Sequence, residues 1–75
     1  MARLPTLKGS EVLKALLKAG FYIHHQEGSH VRLFHPTKPN LKVTISIHNK
    51  DLPEKTLKAI LKQAGIREET LLKLL

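Results

Sequence analysis

The chain has 75 residues and no cysteine, with 13 Lys and Arg against 6 Asp and Glu for a net charge of +7, and its pI is about 10.1. That length allows one domain with a small core, and the missing cysteines exclude disulfides and Cys-type zinc sites. The positive excess concentrates polyanions around the protein, so nucleic acid or an acidic protein is the expected partner.

A membrane role is not expected, because no long apolar run adjoins the basic residues. "MARLPTLK" lacks the apolar core of a secretion signal, and nowhere do 18 apolar residues run together. The sequence reads as one cytoplasmic domain spanning 1–75, with 1–8 a flexible lead in which Pro5 discourages helix.

From Ser10 the pattern turns helical. Ser10 is a candidate N-cap, Glu11 suits the positive helix start and Gly20 is a natural stop. Leu13, Leu16 and Leu17 form the apolar stripe, with Glu11, Lys14 and Lys18 opposite.

After Gly20 the period switches to two. "FYIHHQE" and "HVRLFH" flank the turn signal Gly28-Ser29 and read as a hairpin. "PTKPN" (36–40) connects to a third strand, "LKVTISIH", in which Leu41, Val43, Ile45 and Ile47 alternate with Lys42, Thr44, Ser46 and His48. Three antiparallel strands result, one face apolar and the other open.

A second helix follows. Asp51 and Glu54 make a capping-box-like pair around Pro53, and Gly65 ends it. Leu57, Ile60, Leu61 and Ala64 share one face; Lys55, Lys58 and Lys62 share the other. "REETLLKLL" (67–75) is a short terminal helix whose leucines close the core or meet a second copy. Both amphipathic helices cover the apolar sheet face, giving a two-layer α+β sandwich of α-β-β-β-α order over a 10–66 core.

Alternation assigns directions. Val31 and Leu33 face the core, so His30, Arg32 and Phe34 face solvent. Phe21 and Ile23 point inward, so Tyr22 and His24 point outward; His25 and His35 have the opposite parity and read as structural or incidental. The open face therefore carries His24, His30, His48, Arg32, Lys42, Tyr22, Thr44 and Ser46. Arg32 and Lys42 suit phosphate, Phe34 or Tyr22 a stacked base, and the lysines of the second helix an extension of the track. An imidazole can take the proton of a ribose 2′-hydroxyl or supply one to the leaving 5′-oxygen. A bare surface histidine and a zinc site are the alternatives; the outward histidines lie on different strands without the usual ligand spacing.

The stretches "GFYIHHQEGSHVRLFHP" and "VTISIHNKDLPEKTLKAILKQAGI" resemble the HicA family of bacterial toxins, also described as YcfA-like mRNA interferases. The resemblance runs from about Ser10 to Ile66. It implies a double-stranded-RNA-binding-domain-like α-β-β-β-α fold, ribosome-independent endoribonuclease cleavage of mRNA, and neutralisation by a HicB antitoxin; because RNA supplies its own nucleophile, neither metal nor other cofactor is expected. The family's catalytic histidine carries over to His30, with Gly28 and Ser29 as the turn that presents it. His48 matches a frequent family histidine and takes a supporting role. A non-catalytic RNA-binding module and a protein-interaction domain are the competing functions that the same basic face would serve.

Overall fold

The computed structural model describes residues 4–48 and 50–75. Its elements follow the order α1 (Gly9–Lys18), β1 (Tyr22–Glu27), β2 (His30–Phe34), β3 (Lys42–Ser46), α2 (Glu54–Ala64) and α3 (Glu68–Leu74). The strands form one antiparallel sheet in the order β1-β2-β3. The molecule measures 31 × 27 × 18 Å, the short axis being one helix layer on one sheet. The α+β architecture expected from periodicity is the one observed.

The core lies between these layers. Val31 and Leu33 of β2 and Val43 and Ile45 of β3 are fully buried beneath Val12, Ala15 and Leu16 of α1 and Leu57, Ile60 and Leu61 of α2. Alternation therefore holds without exception in the central strand and in β3. Leu71 of α3 is also fully buried, so the terminal helix closes the core, packing against α1. Lys18 Nζ donates to the Leu74 carbonyl at 3.3 Å, placing a cation at the negative end of α3.

Four local expectations are revised. Ser10 is not the N-cap of α1: the helix begins at Gly9, and the Glu11 carboxylate accepts the Lys8 backbone N–H at 3.0 Å. Glu11 reaches back far enough to cap one residue pair earlier, so no hydroxyl cap is needed. The buried stripe is Val12, Ala15 and Leu16 rather than Leu13, Leu16 and Leu17; Leu13 is half-buried and Leu17 is 42% exposed. Asp51 caps nothing in α2, whose N-cap is Pro53; it bridges instead to Lys8. The lead is docked rather than free, since Leu7 is buried and its carbonyl accepts the Leu52 N–H at 2.7 Å. Residues 1–3 of that lead and Asn49 lie outside the described residues.

The start of α1 runs against the end of β3. A Cβ on Gly9 would overlap the Ser46 carbonyl oxygen, so only glycine permits this approach. The close pass fixes where the sheet ends and where the chain leading to α2 departs.

Candidate active site

The site begins with a two-residue turn. Glu27 and His30 are directly paired across Gly28-Ser29, and Gly28 has φ +58°. A side chain there would meet open space, so glycine is required by its conformation and not by crowding. The turn is then tied to β3: the Ile47 N–H donates to the Ser29 carbonyl at 2.7 Å. This bond brings the next residue, His48, alongside, with its ring 6.3 Å from that of His30 and nearly perpendicular to it.

Across the sheet, His30 is flanked by Glu27 and Ser46, Arg32 by His25 and Thr44, and Phe34 by Tyr22 and Lys42. All the predicted residues of the sheet face, His30, Arg32, Phe34 and Lys42, are thus brought onto one open surface. His24 stacks on Phe34 with centroids 4.0 Å apart and planes 8° from parallel. Tyr22 meets the same ring edge-on at 6.5 Å. The Lys42 ammonium lies 5.5 Å from the Phe34 centroid. Because β1 and β3 flank β2 on opposite sides, His24 and Lys42 approach Phe34 from opposite sides. Phe34 is therefore flanked by an imidazole on one side and an ammonium on the other.

Strand β1 departs from simple alternation. Ile23 pairs with Leu33 and His25 pairs with Arg32, leaving His24 as one extra residue, a β-bulge. The bulge turns both His24 and His25 to the open face, which corrects the inward parity expected for His25. Ile23, expected in the core, is 43% exposed, because the helices cover β2 and β3 and leave β1 bare.

His25 consequently enters the site. Its Nε2 lies 3.9 Å from the Glu27 carboxylate, an ion pair when the ring is protonated. A hollow of about 430 Å³ is lined by His25, Glu27, His30, Val31, Arg32 and Thr44. Neither His25 nor Glu27 was singled out by counting from Phe21. Counting back from the turn finds both, since a two-residue loop pairs 27 with 30 and 25 with 32.

His35 stands apart, as expected. Its Nδ1 accepts the Thr37 N–H at 3.3 Å, and its ring meets Phe21 edge-on at 5.0 Å. The lysines of α2 stand apart as well. Gln63, on the flank of α2 toward β3, accepts the Thr44 N–H at 3.4 Å, while Lys58 pairs with Glu54 at 3.4 Å on the outward side. Lys55, Lys58 and Lys62 occupy the outside of the helix layer, away from the sheet's open face. Among the described residues no group of three His, Cys, Asp or Glu side chains is arranged to hold a metal ion. No helix among them is long and apolar enough to cross a membrane.

The family model described as the HicA toxin of bacterial toxin–antitoxin systems matches residues 9–66. The chain belongs to the HicA toxin family. The match begins at Gly9, the residue pressed against Ser46, and takes in the whole hairpin, the third strand and α2. Membership makes this a toxin whose partner is an antitoxin, as the resemblance implied. No significant match was found among curated proteins.

Proposed function

We propose that this HicA-family toxin is an endoribonuclease that cleaves mRNA on the open face of its sheet, with His30 as a proton-transfer residue. The observation that carries the reading is the position of His30: it follows the Gly28-Ser29 turn and lines a hollow together with Arg32.

RNA supplies its own nucleophile, the 2′-hydroxyl, so the chemistry reduces to moving two protons and steadying charge on phosphorus. His30 serves the proton transfer. Arg32, two residues along the same face, offers paired N–H donors to the non-bridging phosphate oxygens as their charge grows. Lys42 adds a second cation further along the track, and His24, braced by Phe34, stacks an adjacent base. No step calls for a metal. His48 stands near enough to influence His30 but outside the hollow, a supporting position. The antitoxin is of the HicB type, and it acts by covering this face.

The test is cleavage of an RNA by purified wild type and His30→Ala in the presence of chelator. His30→Ala is expected to lose about 10²–10⁴-fold in rate while still binding RNA. Equal rates for the two proteins would refute the proposal. Saturable, salt-sensitive binding by the wild type without any cleavage product would make the chain a binding module only.

A further inference from the structure

The four side chains at the turn end of the hairpin form the corners of a square. Register puts His25 beside Arg32 and Glu27 beside His30, so the two imidazoles occupy opposite corners. Diagonal neighbours of this kind stand roughly 7–8 Å apart, somewhat less at Cβ. All four line the same hollow, and His48 does not.

In-line displacement at phosphorus needs a base at the entering oxygen and an acid at the departing one, on opposite sides of the phosphorus atom. Diagonal imidazoles meet that demand, with Arg32 between them for the non-bridging oxygens. Resting on the endoribonuclease reading above, we propose that His25 is a second catalytic residue, the general acid, and that His30 is the general base.

The roles follow from the neighbours. Glu27 lies 3.9 Å from His25 Nε2, within ion-pair reach of the ring whenever it carries the proton that a general acid gives up. His30 takes the proton of the 2′-hydroxyl, that oxygen bonds to phosphorus, and the bond from phosphorus to the 5′-oxygen breaks. His25 delivers its proton to the departing oxygen. The products are a 2′,3′-cyclic phosphate and a 5′-hydroxyl, and exchange with water resets both rings.

The assignment is tested with an oligoribonucleotide that the wild type cuts at a mapped linkage, and with the same strand carrying a bridging 5′-sulfur there. A thiolate departs without being protonated, so the sulfur substrate does not need the acid. His25→Ala is expected to slow the ordinary linkage by about 10²–10⁴-fold and to return to within about tenfold of wild type on the sulfur linkage. His30→Ala is expected to stay slow on both. Since the side chains of β1 are exposed, His25→Ala should keep the wild-type circular dichroism. His25→Ala at wild-type rate beside an inactive His30→Ala would overturn this inference alone, as would a His25→Ala defect of equal size on both linkages. His30→Ala at wild-type rate would overturn the role of His30 in the endoribonuclease reading and this assignment together.

Discussion

The Ile47 N–H donates to the Ser29 carbonyl at 2.7 Å, one step beyond the last β2–β3 pair, His30 with Ser46. The bond ties the Gly28-Ser29 turn to the third strand and sets His48 beside His30. Proximity alone would make His48 an obvious second proton carrier, yet it does not border the hollow that holds His30 and Arg32. Replacement of His48 by alanine is therefore expected to lower the cleavage rate by less than about tenfold, well short of the usual loss of an acid or base. Single-turnover rates for His48→Ala and His30→Ala on one RNA decide the point.

Gly9→Ala should destabilise the protein. The new methyl meets a backbone carbonyl, Ser46, which cannot swing aside as a side chain would. The expected loss is about 1–3 kcal/mol, read as a lower denaturant midpoint at an unchanged m-value. Ser10→Ala, by contrast, should leave the midpoint nearly unchanged, because the cap of α1 comes from Glu11.

His24 and Phe34 should act as one unit in RNA affinity. With their rings stacked at 4.0 Å, removal of either leaves the other without its support. Each alanine variant is expected to weaken binding of an uncleavable RNA about 5–100-fold, and the double variant little more than the worse single one. Full additivity in the double-mutant cycle would argue against the braced stack.

Salt dependence separates the two basic surfaces. Arg32→Gln or Lys42→Gln should each reduce the slope of log K against log salt by roughly one phosphate contact. Lys58→Gln should leave it unchanged, because that ammonium lies on the helix layer and is paired with Glu54. A Lys58 effect as large as that of Arg32 would show RNA wrapping onto the helices.

An antitoxin that inhibits by covering the site should shield it chemically. In the complex, His30 is expected to react with diethyl pyrocarbonate far more slowly than in the free toxin, as located by peptide mass spectrometry. An inhibited complex in which His30 stays as reactive as before would contradict coverage.

Much of this was legible wherever a side chain had to choose between core and water. Val31, Leu33, Val43 and Ile45 alternate because helices press on one face of β2 and β3, and that pressure fixes His30, Arg32 and Phe34 on the other. β1 feels no such pressure. Its periodicity therefore carries less information, and counts from its two ends disagree: from Phe21, His24 points outward; from Gly28, His25 does. Both are right, and the disagreement is the bulge. The cap of α1 escapes the sequence pattern for a different reason. A glutamate reaching back to Lys8 competes with a nearby serine, and composition alone does not rank them.

A strand that seals nothing can be re-phased at little cost. The extra residue at position 24 shifts every later side chain of β1 relative to the start of the strand, and the interior does not register the change, since none of those groups belongs to it. Side chains mounted there can be exchanged while the folded body stays as it is. A toxin locked against an antitoxin that must keep fitting it would thus have, in its outermost strand, room to alter its chemistry without first becoming unstable.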